Sequence, residues 1–107
     1  MFRFLLSTPD KTFFNGQVTS VVCPGTEGYF GILARHARMV AAVGVGIVKI
    51  EVPGETKLFV VDGGVAEVTP EETMILADLA IPATDAADAE EKLEEVKAQH
   101  IVPVKLR

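Results

Sequence analysis

The sequence predicts a mainly β protein, in which an N-terminal β-sandwich is followed by one short C-terminal α-helix. Two observations lead to this prediction. Up to about Ala80, short runs rich in Val, Ile, Phe and Thr are separated by turn signals roughly every ten residues, a spacing typical of antiparallel sandwiches and barrels. From Asp85 the chain changes to residues that favour helix. We therefore divide the chain into a sandwich domain at 1–82 and a helical segment with a tail at 83–107.

The predicted strands differ in how many of their faces avoid water. Ile47–Val52 alternates, with Lys49 and Glu51 on one face and apolar residues on the other, so one face of this strand meets solvent. Leu58–Val61 and Met74–Ala77 are apolar at every position. Because a two-layer sandwich buries only the inner face of each sheet, the outer apolar positions need a cover. The cover is either the chain's own helix or another subunit.

The predicted helix carries one narrow apolar stripe. The segment D-A-A-D-A-E-E-K-L-E-E-V-K-A-Q-H follows Pro82 and Thr84, which we expect to open and cap it. Its apolar residues recur at steps of three, four and three, enough for about four turns of amphipathic helix. The stripe consists of Ala86, Ala89, Leu93 and Val96.

The charges of this segment also fit a helix. Asp85 and Asp88 stand at its N-terminal end and Lys97 in its last turn, where the helix dipole favours them. Four glutamates predict a solvated face, and the alternative is a docking surface for a basic partner. These glutamates are Glu90, Glu91, Glu94 and Glu95.

Composition excludes several classes of protein. The 107 residues suffice for a single core. A net charge of -5 speaks against a nucleic-acid partner, because such binding depends on Lys and Arg neutralising phosphates. The single cysteine excludes an internal disulfide and fits a reducing compartment. We expect neither a signal peptide nor a membrane span, yet 49% of the residues are hydrophobic, which predicts an apolar surface for a partner.

The loop Pro24–His36 reads P-G-T-E-G-Y-F-G-I-L-A-R-H and raises the question of a phosphate site. A P-loop needs a Lys after the glycines, which is absent here, and Glu27 would repel phosphate. The spacing G-x-x-G-x-x-G also differs from the G-x-G-x-x-G of dinucleotide-binding folds. The glycines instead predict turns and a bulge where the backbone approaches something closely. We expect no cofactor here.

Catalysis and metal binding are also disfavoured. His36 is a candidate general base only if a nucleophile lies near it, and no nucleophile motif is present. Cys23 lies in an apolar strand-like run, and one cysteine with two scattered histidines matches no metal-ligand spacing. The sequence therefore predicts a loop or interface role for His36, with no catalytic or metal-binding residues.

Three blocks of sequence resemble a known family. These are the loop just quoted, V-V-D-G-G-V-A-E-V-T-P at Val60–Pro70 with I-L-A-D at Ile75–Asp78, and the opening L-L-S-T-P-D-K-T-F-F-N-G-Q-V. Together they resemble the epsilon subunit of rotary F-type ATP synthases, over about residues 2 to 80.

The resemblance implies a fold and a role. The family has a β-sandwich of about ten strands and a C-terminal helical hairpin. It is a non-catalytic central-stalk subunit that links the gamma subunit to the c ring and couples proton flow to ATP synthesis. The resemblance also implies that the subunit is attached peripherally, through the complex, to the cytoplasmic side of the cell inner membrane. It further implies contact with the alpha and beta subunits through the C-terminal segment. The outer apolar strand faces would then be covered by gamma.

The resemblance also assigns interface residues. Four positions match family loop residues that lie close to gamma and the c ring, and two more differ from the usual family residue. The first four are Glu27, Gly28, Tyr29 and His36, and the departures are Arg38, in place of Pro, and Asp62, in place of Ser.

The C-terminal region departs furthest from the family. A second helix is absent from this sequence, and the segment from Asp85 lacks the Arg of the ATP-binding motif found in some bacterial members. The resemblance therefore does not extend to inhibition by a long C-terminal arm or to ATP sensing, and we expect weak regulation of ATP hydrolysis at most. The alternative to the rotor role is a free-standing β-sandwich module that binds a different protein through the same apolar face.

Overall fold

Eight strands precede one helix in the computed structural model, which describes residues 1–101, with side chains to residue 99. The tail around Pro103 lies outside the described residues. The elements are β1 (Phe2–Thr8), β2 (Lys11–Val18), β3 (Ser20–Gly25), β4 (Gly28–Ile32), β5 (Met39–Val52), β6 (Glu55–Val68), β7 (Glu72–Ala77), β8 (Ala80–Ala83) and α1 (Ala86–Ile101).

Two long strands organise the sheet. The strand order is β2-β1-β7-β6-β5-β3-β4, with β8 also paired to β6. All pairs are antiparallel except β1 with β7, which is parallel. β5 and β6 have 14 residues each and pair from Met39 opposite Val68 to Val52 opposite Glu55. The two strands therefore form a continuous ribbon through the whole molecule.

The core-facing side of β6 changes within the strand. Phe59 and Val61, at odd positions, are buried in its first half, whereas Ala66 and Val68, at even positions, are buried in its second half. Because side chains alternate along a strand, such a change of parity turns the opposite face of β6 toward the core. It occurs at Gly63–Gly64, which separate the half paired to β8 from the half paired to β7.

The ribbon thus belongs to both layers of a sandwich. We call the sheet of β2, β1 and β7 with the adjoining halves of β6 and β5 the first layer. The second layer contains β8, β3 and β4 with the other halves. The predicted sandwich with one C-terminal helix is confirmed. Within residues 1–101 the strands number eight, whereas the resemblance implied about ten, because β5 and β6 each serve both layers without a break.

One apolar core fills the space between the layers. Its fully buried members come from both sheets, as expected when two inner faces interdigitate. They include Phe4, Leu6, Ile75 and Val68 from the first layer and Val21, Val48, Ile50 and Val61 from the second.

The helix α1 covers the outer face of the second layer. Ala89, Leu93 and Val96 of the predicted stripe are buried there around Val60, with Leu58 packed against them, whereas Ala86 is exposed. The expectation that gamma covers Leu58–Val61 is therefore wrong, because the stripe of the chain's own helix fills that face. All four glutamates of the predicted solvated face are exposed.

The start of α1 is fixed by carboxylates. The backbone N–H of Asp88 donates to Asp85 Oδ1 at 2.8 Å, and the N–H of Thr84 donates to Asp88 Oδ2 at 2.9 Å. Lys92 Nζ donates to the same Asp88 oxygen at 2.8 Å and to the carbonyl of Pro82 at 3.0 Å. The capping residue is thus Asp85 and not Thr84, as a variant of the capping box.

Replacing Thr73 by Val should stabilise the fold. The Thr73 side chain is 1% exposed, and its hydroxyl has no hydrogen-bond partner among the described residues. Since a buried unpaired hydroxyl is destabilising, we expect Thr73→Val to raise the free energy of unfolding in urea by about 1 kcal/mol. Thr69→Val is the control and should lower it, because Thr69 Oγ1 is hydrogen-bonded to the backbone of Glu72. A less stable Thr73→Val protein would contradict the prediction.

The helix start should loosen in acid. The hydrogen bond from Lys92, followed by that from the backbone of Thr84, lowers the pKa of Asp88. A carboxyl group with a lowered pKa stabilises the fold above its unfolded pKa of about 3.9, and the contribution is lost as the pH falls through the folded pKa. We expect the protection factors of the amides in the first turns of α1, which compare the measured exchange with that of an unfolded chain at the same pH, to fall over that range. Asp88→Asn should remove most of this pH dependence, and an unchanged pH profile would contradict the assignment.

Candidate partner-binding surface

The β3–β4 hairpin presents three of the predicted interface residues. Thr26 and Glu27 form its exposed two-residue turn, between the paired residues Gly25 and Gly28. Gly28 has a φ of 126°, a backbone conformation that favours glycine. The N–H of Thr26 donates to the carbonyl of Ala42 at 3.1 Å, which holds the hairpin against β5.

A hydrogen bond of Tyr29 holds this hairpin against β5 in the second layer. Its hydroxyl oxygen accepts the backbone N–H of Ile47 at 2.9 Å, although 57% of the residue is exposed. The side chain crosses β5 at Gly46, where an added Cβ would lie 2.6 Å from the hydroxyl and 2.5 Å from Pro24 Cβ. Glycine at this position is therefore required for the close approach. Tyr29 positions the hairpin as well as forming part of its surface.

The loop between β4 and β5 holds His36 and Arg38. His36 is half-buried, and its Nδ1 lies 2.7 Å from the carbonyl oxygen of Ala37, so a donated hydrogen bond places the proton on Nδ1. Arg38 is exposed, as is Leu33 at the start of the loop. Arg35 has a φ of 63°, and its N–H donates to the carbonyl of Pro70 at 3.2 Å.

Two adjoining clefts bring four of the six predicted residues together. A cleft of about 560 Å³ is lined by Glu27, Gly28 and Tyr29 together with Met39 and Val40. A smaller one of about 230 Å³ shares Met39 and Val40 and adds Arg38. His36 and Asp62 line neither cleft. Asp62 lies instead in β6 opposite Val45, and its N–H donates to the carbonyl of Leu79 at 3.1 Å.

An apolar face beside these clefts was only partly anticipated. Val65 lies opposite Leu76 on β7 and opposite Ala42 on β5, and Val40 lies further along β5. The exposed fractions are 71% for Val40, 41% for Val65 and 44% for Leu76. We call Val40, Ala42, Val65 and Leu76 the outer apolar face. The sequence predicts that Met74–Ala77 needs a cover but makes no such prediction for Val40, which lies in the apolar run Met39–Val43, or for Val65, which follows Gly63 and Gly64.

The described residues offer no reactive centre around these clefts. Cys23 is fully buried, and burial raises the pKa of its thiol to about 12, so the thiol stays protonated at neutral pH and is not a nucleophile. No group of three or more His, Cys, Asp or Glu residues among those the structure describes is placed to hold a metal ion. The described helix is neither long nor apolar enough to cross a membrane. The geometry of this surface suits contact with another protein.

Comparison with known families and sequences gives consistent matches. The family described as "ATP synthase, Delta/Epsilon chain, beta-sandwich domain" matches residues 1–83. The ATP synthase epsilon chain of Rhodopseudomonas palustris strain BisA53 is 43% identical over 84 residues, which cover 78% of this chain and 62% of the relative. The ATP synthase epsilon chain of Leptospira interrogans is 41% identical over 71 residues, which cover 66% of this chain and 56% of the relative. The matched part therefore spans less than two thirds of these relatives.

Two solved structures with a similar fold come from mitochondrial ATP synthases. A chain of the Euglena gracilis mitochondrial ATP synthase, in a structure of OSCP, F1 and the c ring, matches with a TM-score of 0.72 and 26% identity, covering 95% of this chain and 67% of that one. A chain of the Tetrahymena thermophila mitochondrial ATP synthase, in a structure of the central stalk and c ring, matches with a TM-score of 0.67 and 15% identity. The match covers 92% of this chain and 90% of that one. The second likeness supports the fold alone.

Tyr29→Phe tests the fastening of the hairpin. The change keeps the ring but removes the acceptor of the Ile47 N–H, and because this hydrogen bond is exposed we expect a loss of at most about 1 kcal/mol in the free energy of unfolding. The specific readout is hydrogen exchange at the Ile47 amide, which should accelerate more than exchange at the neighbouring β5 amides. Unchanged protection at Ile47 would contradict the proposed hydrogen bond.

Proposed function

This chain belongs to the ATP synthase delta/epsilon chain family, and from that premise we propose that it is a non-catalytic rotor subunit of a proton-translocating F-type ATP synthase. In this role it links the gamma subunit to the c ring and couples proton flow to ATP synthesis. The observation that carries the proposal is the family match over residues 1–83, which comprises the entire sandwich.

The outer apolar face supports a partner on the first layer. α1 covers the outer side of the second layer, whereas Val40, Val65 and Leu76 remain exposed on the first. Exposed Glu67 lies opposite Val40 at the edge of this face, and the neighbouring apolar side chains mark a protein-binding site, since burying them removes apolar area from water. We assign this face to gamma.

The clefts at the hairpin supply the polar part of the same contact. Glu27 and Arg38 are exposed and stand at two adjoining clefts that meet at Met39 and Val40. We assign the hairpin and the following loop to the junction between gamma and the c ring. His36 belongs to the same loop, where its Nδ1 donates to the carbonyl oxygen of Ala37, whereas Asp62 lies in β6 outside both clefts.

The helical segment carries an acidic surface. α1 presents Glu90, Glu91, Glu94 and Glu95 to solvent, and this acidic face is available to the alpha and beta subunits. Any restraint on ATP hydrolysis through this acidic face is weak.

The subunit is attached peripherally, through its complex, to the cytoplasmic side of the inner membrane.

Binding to gamma should depend on the outer apolar face. We expect full-length chain to bind purified gamma from the same organism, and Val65→Glu to weaken that binding by at least about tenfold, because a carboxylate would be buried without a partner. Isothermal titration gives the affinity. The melting temperature should change little, since Val65 is 41% exposed in the free chain.

A matched variant separates the face from the added charge. Ala87→Glu places the same carboxylate on the exposed part of the first turn of α1, away from the outer apolar face, and should leave gamma binding unchanged. Equal losses for both variants would contradict the assignment of the face. Wild-type chain that captures neither gamma nor the c ring would favour the free-standing module.

A further inference from the structure

Arg35 occupies a backbone conformation that its residue type does not favour. Its φ of 63° is the single positive value among the described residues that are not glycine. The hydrogen bond from its N–H to Pro70 O holds this conformation at 3.2 Å. Glycine would adopt the conformation without strain, whereas a residue with a Cβ does so at a cost. Strain of this kind is often found at sites where the side chain has a task in binding.

The arginines near this loop have no ionic partner within the described chain. The three salt bridges of residues 1–99 all use lysines, namely Lys49, Lys57 and Lys92. Arg3, Arg35 and Arg38 are all exposed, and none of their guanidinium groups takes part in a described ion pair or hydrogen bond. Arg3 and Arg35 line one cleft of about 510 Å³.

These cations stand out against the charge of the whole molecule. The net charge is -5, and four glutamates are displayed along α1. Arg35 and Arg38 belong to this loop and Arg3 to β1, and Glu67 and Glu71 line the same clefts, so this surface carries both signs of charge and can orient a partner of complementary charge pattern. The guanidinium fork suits a planar carboxylate better than a lysine would.

We infer that Arg35, supported by Arg38 and Arg3, docks onto carboxylates of the protein subunit that faces this loop. The inference rests on the proposed function and adds the chemistry of the partner: a protein surface of mixed charge whose carboxylates meet these arginines and whose cations meet Glu67 and Glu71. Arg35 determines specificity for this partner. Its side chain is exposed, and the backbone conformation that presents it lowers the stability of the free chain.

A protein partner fits the surroundings better than a membrane or a free phosphate. Glu71 lines the cleft of Arg3 and Arg35, and Glu67 lines the cleft of Arg38. These carboxylates would repel a uniformly anionic surface, whereas they can pair with cations on a protein surface of mixed charge. Recognition of anionic lipid by surface charge usually requires a cluster of about four to eight cations, more than this loop presents.

The experiment measures binding and stability of the same variants. Full-length chain is titrated with cognate gamma and with detergent-solubilised c ring, at about 0.05 M and 0.5 M NaCl, where screening differs strongly. We expect Arg35→Gly to weaken binding to the facing subunit about three- to tenfold at low salt and hardly at all at high salt. Its melting temperature should equal or exceed that of the wild type, because glycine relieves the strain. Arg38→Gln should weaken binding in the same direction.

Lys57→Gln is the control. It removes one positive charge at the other end of the sandwich, where Lys57 pairs with Glu55 at 3.1 Å, and should leave the affinity unchanged. Equal losses for Lys57→Gln and Arg35→Gly would reduce the effect to net charge and overturn the inference. A lower melting temperature for Arg35→Gly with unchanged affinity would do so as well, by assigning the arginine a purely structural role.

Three further outcomes separate this inference from the proposed function. Wild-type binding to gamma or the c ring that is insensitive to salt and to both arginine variants would refute the inference and leave the proposed function intact. Binding to vesicles of anionic phospholipid that is lost in Arg35→Gly, with protein binding unchanged, would replace the protein partner by lipid. No binding to either subunit would refute the proposed function and the inference together.

Discussion

The left-handed backbone at Gly63 and Gly64 is the constraint on which the rest of the structure depends. Their φ values are 79° and 128°, and an added Cβ on Gly64 would lie 2.2 Å from the carbonyl oxygen of Leu76. No other residue type fits there without moving β7. At this point β6 turns its other face to the core, so that one strand pairs with β8 in the second layer and with β7 in the first. Without it the ribbon would remain in one layer.

The two layers created by this crossing have different outer faces. α1 closes the second layer around Val60, and its capping by Asp85 and Asp88 fixes where the helix begins. The first layer keeps Val65 and Leu76 exposed. A domain of this size has one core. The outer side of its second layer is covered by its own helix, whereas the outer side of its first layer leaves apolar side chains exposed to a partner. The proposed contact with gamma follows from that separation.

Local patterns in the sequence predict the elements, whereas contacts between distant residues decide the site. Turn signals and alternation predict the sandwich, and the 3-4-3 stripe predicts the helix. Leu58–Val61 and Met74–Ala77 look alike as apolar runs, so the sequence does not reveal which of them the helix covers. The φ of Arg35 depends on a hydrogen bond to Pro70, 35 positions away, which no local pattern encodes. The family resemblance supplied the loop residues, but the pairing of Tyr29 with Ile47 required the fold.

Ile47 joins the proposed binding loop to the helix. Its backbone N–H is held by the Tyr29 hydroxyl, while its side chain packs against the cluster of Ala89, Leu93 and Val96. The hairpin, the central ribbon and α1 therefore share one residue of β5, and a displacement of the hairpin would have to disturb either a hydrogen bond or a packed helix. Close-packed connections of this kind resist gradual deformation. Force applied at the hairpin would accordingly move the sandwich and the first turns of its helix together, which is the mechanical property that the proposed rotor role requires.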